Sequence, residues 1–475
     1  MNRLFFIIII LFFSKGSDAQ KMLTLEECIE LAIKNNIEVA QFELRTDAAG
    51  INHKQAKLNR LPTIDGNITH GINQGRSIDP FTNAYVNQKI NYASYGIGGD
   101  MVLFNGLSLR NLVKQQGFAY DASKMDLQQA KNNLELSVML AYLQVLSNED
   151  QVVLAQKQVE VTRIQVNRLE KLNAEGAINP PVLYDLIGQL KESELNVVTA
   201  QNALASAKLL LSQLLTIPYD PSLQLQKLEG EELLKPFAAT VDEVYNNATK
   251  NMAVVRAEEY RKEMAAAAVR VSKGNRLPSL VLGSNINTNY SSAATREIFT
   301  GSTEEPSANY VLINGNKQPV IVPRQNFINE KINFSNQFQN NVFTNIGLGL
   351  RIPLFNNFYN RNQVKLAKID LEIADLALEN VKWQLRQDID QAYVNMNNAR
   401  SRFNILIEQV AAYNEAFRAA EVRFNAGVGT SVDYIIAKSN ADRANISLVT
   451  AQYDYLLRKK VLQFYNQTQS PADNN

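Results

Sequence analysis

The stretch "TNIGLGLRIPLF" spans Thr344 to Phe355, and its two faces differ in kind. In an extended chain Ile346, Leu348, Leu350 and Ile352 fall on one side and Gly347, Gly349 and Arg351 on the other, because successive strand side chains point to opposite faces. "ASYGIGGDMVLF", Ala93 to Phe104, repeats the pattern, with Tyr95, Ile97, Met101 and Leu103 alternating with Gly96, Gly98 and Asp100. Two further alternating runs follow prolines: Ile64, Ile68 and Ile72 after Pro62, and Leu280, Leu282 and Ile286 after Pro278. Alternation of this kind suits either a half-buried soluble sheet or a membrane barrel with lipid outside and water inside.

Each Pro-led strand opens with the same phrase, Asn-Arg-Leu-Pro, at Asn59–Pro62 and at Asn275–Pro278, an offset of 276 − 60 = 216. Further along, Leu103-Phe104-Asn105 matches Leu354-Phe355-Asn356 at 354 − 103 = 251, and Ala141-Tyr142 with Ala392-Tyr393, Gly176 with Gly427, and Val198–Gln201 with Val449–Gln452 keep that spacing. The chain therefore reads as one unit written twice, with an insertion in the second copy. The insertion falls in "NYSSAATREIFTGSTEEPSANYVLINGNKQPVIVPRQ", which predicts a long polar outer loop. Each copy predicts an opening amphipathic helix ("LTLEECIELAIKNNIEVAQFELRTDAAGINHKQAKL" and "TVDEVYNNATKNMAVVRAEEYRKEMAAAAVRVSK"), two strands, a very long helix, a Gly-containing tip and a returning helix. The expected boundaries are a signal peptide at 1–19, a first repeat at 20–215 with strands in 62–104, and a linker at 216–238. The second repeat then covers 239–470, with strands in 278–355 and a tip at 427–433, and a tail covers 471–475.

Neither Gly nor Pro interrupts Phe118 to Glu175 or Leu354 to Ala426. At ~1.5 Å per residue the shorter run alone would reach about 85 Å as a helix. In the second run Ala367, Leu371, Ala374, Leu378, Val381, Leu385, Ile389, Ala392, Met396, Ala399, Phe403, Leu406 and Val410 follow steps of four and three, except for one extra step of four after Leu385. Moved back by 251, the first run shows the same seam and the same extra step from Leu134 to Val138. This is a coiled-coil seam whose supercoil relaxes at one matched level.

"MNRLFFIIIILFFSKGSDA" has a basic start at Arg3, an apolar core from Leu4 to Phe13 and small residues Ser17 and Ala19 before Gln20, the form of an export signal. No later segment offers the ~18 consecutive apolar residues of a membrane helix. Export without such a helix favours the barrel reading of the strands, since only helices and closed barrels satisfy their backbones in lipid. One chain supplies four such strands, whereas the smallest outer-membrane barrels need about eight, so other copies of the chain must complete it. Pro62 and Pro278, which lack an N–H, are predicted at the junctions where helix gives way to strand, with Arg60 and Arg276 near the inner headgroups.

Other function classes find little support. The net charge of +1 falls to near zero once Arg3, Lys15 and Asp18 are removed, which disfavours nucleic acid as a partner. Cys28, the single cysteine, shares a helical face with Leu25, Ile29 and Ala32 and reads as a small core residue. His53 and His70 are the only histidines and neither joins a metal-ligand or nucleophile motif, so no enzyme, metal or cofactor is expected. A non-conducting periplasmic coiled-coil scaffold or adaptor would explain the helices and the signal but leaves the four strands without a use.

In their order and duplication these features resemble the TolC-like outer membrane efflux proteins, over essentially the whole mature chain. The carrying residues are the Leu-Phe-Asn exits from the strands and a tip with Gly427, Thr430, Ser431, Asp433, Ile435, Ile436 and Ala437. The resemblance implies a mainly α chain with a membrane β-barrel: a homotrimer forming a twelve-stranded barrel in the outer membrane, continued by a periplasmic α-helical barrel. It further implies docking to a periplasmic adaptor and an inner-membrane transporter, as the exit duct of a tripartite efflux or type I secretion system. Under it, Asp433 would form a ring of charge at a narrowing gate, with Arg423 and Tyr434 as neighbours and Asp185 a looser first-half candidate. Gly176, Ala177, Gly427, Val428, Gly429 and Thr430 would form the adaptor-facing tip. Asp433 has an alternative role as a carboxylate stabilising a helix N-terminus after Thr430 and Ser431, and Ile436 stands where some relatives carry a second acid.

Overall fold

The computed structural model describes residues 22–78, 83–87, 89–227 and 236–466. The predicted signal peptide, part of the linker and the C-terminal tail lie outside the described residues.

The elements run in the order α1 (Leu25–Asn35), α2 (Ile37–Leu58), β1 (Thr63–Asn73), β2 (Arg76–Ile78), β3 (Tyr85–Asn87), β4 (Ile90–Asn105), α3 (Ser108–Ala174) and α4 (Pro180–Leu214). After the linker come α5 (Val241–Asn251), α6 (Ala253–Gly274), β5 (Ser279–Ser291), β6 (Thr295–Ile313), β7 (Asn316–Lys331), α7 (Phe334–Asn340), β8 (Phe343–Arg351), α8 (Tyr359–Asn425) and α9 (Ser431–Asn466). The starts of α1, α2 and β1 recur in α5, α6 and β5 at 279 − 63 = 216, and both ends of α3 recur in α8 at 359 − 108 = 425 − 174 = 251. Among the described residues, those up to 51, within 117–265 and from 370 onward make one compact unit, and those within 52–116 and 266–369 make the other.

The first unit is helical. Thr24 opens α1 with a capping box, its Oγ1 accepting the Glu27 N–H at 3.1 Å while Glu27 Oε2 accepts the Thr24 N–H at 3.1 Å; Thr240 and Glu243 do the same at α5. The expected single opening helix is in fact two. Asn36 leaves helical geometry (φ −71°, ψ 123°) and its side chain accepts the Val39 N–H at 3.0 Å, so it closes α1 and starts α2; Met252 makes the same break between α5 and α6. Cys28 is buried with Ala32 against Val138, Tyr142 and Leu211, its thiol pushed up to about 11 by burial and by Glu27 and Glu26. The seam residues Leu134, Val138, Leu385 and Ile389, where the period changes phase, are all buried. Lys208, buried on α4, donates to the linker carbonyls of Leu223 at 2.6 Å and Pro221 at 3.3 Å.

The second unit is built on one antiparallel sheet in the order β1-β4-β5-β8. Register sets the faces. Ile68 lies opposite Tyr95 and Tyr95 opposite Thr288; Met101 lies opposite Leu282 and Leu282 opposite Leu348. Each row shares one side of the sheet, the side that carries Ile64 and Ile346. Ile346, Leu348 and Leu350 on β8 are 71%, 66% and 63% exposed. The other side is a shallow trough of about 710 Å³ lined by Asp65, Asn67, Asp100, Asn285 and Asn345 among glycines. At both junctions the last helical turn closes with i→i−3 hydrogen bonds, Leu61 N to Leu58 O at 2.8 Å and Leu277 N to Gly274 O at 2.9 Å, before Pro62 and Pro278 turn the chain into strand.

The segment expected as a polar outer loop is mostly strand and not loop. Most of it forms a long two-stranded ribbon, β6 with β7, turned at Asn314-Gly315 with φ of 50° and 85°. Positive φ at both central residues is what a tight hairpin turn of matching twist requires. "VLINGNKQPVIV" carries this signal, with Asn-Gly between apolar runs, but the surrounding Ser, Thr, Glu and Asn obscure it.

Candidate functional site

The two helical hairpins end in tips of similar construction. After α3, Gly176 takes φ +67°, its N–H donating to Asn173 O at 3.0 Å while Ala177 N donates to Leu172 O at 2.8 Å. After α8, Gly427 takes φ +74°, with Gly427 N on Phe424 O and Val428 N on Arg423 O, both at 3.1 Å. These are Schellman closures in which a left-handed residue lets the chain cap its own last carbonyls. Gly427→Ala is expected to cost about 1 kcal/mol, seen as a small fall in thermal unfolding temperature by circular dichroism in detergent. Gly429 is constrained differently: a Cβ there would stand 3.0 Å from the Phe424 backbone nitrogen.

Thr430 then starts α9, its Oγ1 accepting the Asp433 N–H at 3.0 Å. Asp433 is exposed in the first turn, where its charge complements the helix N-terminus. Arg423 is exposed in the last turn of α8, where a cation is equally favoured. No ion pair joins the two within the chain among the described residues. Asp185 is exposed near the start of α4.

Tyr434 faces the other way. It is fully buried, stacked on Phe424 at 5.0 Å and tilted against Phe417 at 5.5 Å, in a cluster with Val166, Leu169, Leu183 and Leu186 of the first hairpin. The chain thus keeps Tyr434 from partnering Asp433 and uses it to hold the hairpins together. Burial, with the charges of Glu421 and Asp442, pushes its hydroxyl well above the ordinary tyrosine range, and the hydroxyl has no hydrogen-bond partner. Tyr434→Phe should therefore leave stability unchanged or raise it by about 1 kcal/mol, checked by thermal unfolding in detergent; a marked loss would show a hidden partner.

Sequence reasoning missed the polar contacts beside this cluster. Lys438 on α9 is 1% exposed and pairs with Asp442 one turn on, whose main-chain oxygen accepts from Gln158 Nε2 of α3 at 3.5 Å. Arg168 of α3 reaches both the Asn425 side chain and, at 2.8 Å, the Asn425 carbonyl at the end of α8. Burial raises the Asp442 carboxyl while Lys438 opposes that rise. The available signal was a lysine at the place where the repeat offset, 438 − 251, gives Ile187 in the first hairpin.

Among the described residues no group of histidine, cysteine, aspartate and glutamate is arranged to hold a metal, and no helix is long and apolar enough to cross a membrane. The arrangement offers exposed charges at helix ends, a glycine-shaped tip and a sheet with one apolar and one polar face.

The family model for outer membrane efflux proteins matches the chain twice, over residues 28–216 and 244–465. The chain is 23% identical over 470 residues to outer membrane protein TolC of Salmonella enteritidis, covering 98% of this chain and 86% of that protein. To TolC of Escherichia coli (strain K12) it is 24% identical over 333 residues, covering 69% of this chain and 60% of that protein. Its fold is similar to the solved structures of CusC (TM-score 0.74, 15% identity, covering 94% of this chain and 92% of that one) and of VceC from Vibrio cholerae (TM-score 0.72, 15% identity, 93% and 96%). With both halves matched by one family model and the same fold found in these channels, the chain belongs to the outer membrane efflux protein family, whose members are channels and not enzymes.

Proposed function

We propose that three copies of this chain form an outer-membrane exit duct. It conducts substrates delivered by an inner-membrane pump and a periplasmic adaptor to the exterior, as part of a tripartite efflux or type I secretion system. Each chain would lend its four-stranded sheet to a closed barrel of twelve strands, and two copies of a strand-pair and helical-hairpin unit would make up the mature protein. The barrel would continue as an α-helical barrel through the periplasm.

The observation that carries this reading is the sheet β1-β4-β5-β8, with exposed Ile64, Ile68, Ile97, Ile346, Leu348 and Leu350 on one side and glycines, asparagines and Asp65 and Asp100 on the other. Apolar outward and polar inward alternation is what a water-filled barrel in lipid requires. β1 leaves an unpaired edge at one side of the sheet and β8 at the other, and closure with neighbouring copies would remove both edges. At the tips, the ring of Asp433 would set the gate, with Arg423 nearby and Asp185 on the alternate hairpins; Gly176, Ala177 and Val428 to Thr430 would meet the adaptor.

The test is extraction and conductance. The protein should leave the outer membrane only in detergent, run as a trimer, and open discrete single channels in a planar bilayer. A water-soluble species without conductance would instead favour a periplasmic coiled-coil scaffold.

A further inference from the structure

The helix α7 takes no part in closing the barrel or in the tips, and its position is specific. Its sequence, "FSNQFQN", follows β7 and precedes β8, and no charged residue occurs from Ile332 to Leu350. Asn333 caps it, its side chain accepting the Asn336 N–H at 2.9 Å. Gln337, 1% exposed, fixes it to the sheet: Oε1 accepts the Ser291 N–H at 2.9 Å, and Nε2 donates to Ser291 O at 3.0 Å and Ile332 O at 2.7 Å. Thr288 Oγ1 donates to Phe338 O at 2.9 Å.

These contacts define the face that α7 covers. Thr288 lies opposite Tyr95, and Tyr95 opposite Ile68, so all three share the apolar side of the sheet. Phe334 and Phe338 stand edge-on to Tyr95 at 6.2 and 5.5 Å, and Phe334 meets Tyr290 at 5.3 Å. Both phenylalanines remain substantially exposed, at 47% and 41%. The helix is thus bolted by polar groups beneath and presents aromatic rings outward from the side that would face lipid.

Height along the strands says where in the bilayer this lies. From Pro278 at the helix junction to Thr288, or from Arg351 back to Phe343, the chain runs about nine residues. At ~3.3 Å per residue and a tilt of roughly 40°, that is about 23 Å, close to the ~25 Å apolar band of outer-membrane barrels. An uncharged cluster of aromatic rings, apolar Phe334 and Phe338 beside the hydroxyl-bearing Tyr95 and Tyr290, at the far edge of that band has the chemistry of the headgroup boundary.

We propose that α7 with Tyr95 and Tyr290 is a lipid-binding collar, seating each chain in the outer leaflet at the boundary between headgroups and acyl chains. The inference rests on the barrel reading above and adds a partner surface to it.

The test uses the full-length protein with Trp383→Phe, which removes the only native tryptophan, reconstituted in phosphatidylcholine vesicles brominated either near the headgroup end or near the methyl end of the chains. The indole introduced by Phe338→Trp should be quenched roughly twofold more by the shallow bromines than by the deep ones. The indole introduced by Leu348→Trp, at mid-strand on the same face, should show the reverse order. If Leu348→Trp is quenched and Phe338→Trp is not, or is quenched more by the deep bromines, the collar is overturned while the barrel stands. If neither is quenched, the barrel reading itself fails.

Discussion

Lys438→Met should cost about 3 kcal/mol or more of stability at neutral pH, because it leaves the Asp442 carboxylate three-quarters buried without its cation. Thermal or urea unfolding followed by circular dichroism in detergent would measure it. The pH dependence gives a second, sharper readout. Asp442 already has its pKa raised by burial, against the opposing pull of Lys438, and removing the lysine should raise it further. A carboxyl with a folded-state pKa above its unfolded value binds more protons folded than unfolded in the window between the two, so its contribution to stability falls as pH rises through that window. The deficit of Lys438→Met should therefore shrink on acidification from neutral pH to about pH 5. Adding Asp442→Leu should recover most of the loss, because an apolar pair of similar size avoids both desolvation penalties. A deficit that does not vary with pH, or no rescue by the double variant, would show that the lysine acts through packing alone.

Asp433→Ala should weaken block of the channel by divalent cations about tenfold and raise its conductance, if three such carboxylates crowd one constriction. Several like charges within a few ångströms of a passing ion act together, and salt reduces but does not abolish their field. Asp433→Asn is the informative companion, since it keeps a polar group of the same shape in the first turn of α9 while removing the charge. Both variants should behave alike in conductance, whereas only small differences in stability are expected from the exposed helix end. Unchanged block and conductance would leave Asp433 with its role at the helix N-terminus beside Thr430.

Much of the fold was legible because its two periodicities are so different. Alternation in Ile346, Leu348 and Leu350 and the four-three steps through Leu385 and Ile389 each write an element directly, and those residues are exposed on the sheet and buried in the helices as the patterns require. What escaped were features decided by a few local atoms. The break at Asn36 depends on one side-chain oxygen reaching the Val39 N–H. The β6–β7 ribbon depends on Asn314-Gly315, which composition hides among polar neighbours. At the site, adjacency misled: Asp433 and Tyr434 are consecutive, yet a helix turns neighbours about 100° apart, so one faces water and the other the core. The Lys438–Asp442 pair was missed because a lysine on a helix reads as a solvated residue until its burial is known.

The β6–β7 ribbon also bears on how such a chain avoids sticking to its own copies. A two-stranded ribbon has no protected flank, and a row of free N–H and C=O groups invites any other strand to join it. Here Pro306, Pro319 and Pro323 remove donors along both strands, the register slips at Phe299/Gly301 and at Pro306/Tyr310, and the pairs Arg296–Glu330 and Arg324–Glu305 stud one surface with charge. Each of these devices discourages further strand addition. The ribbon is thereby made a poor template for aggregation, although it is long and exposed.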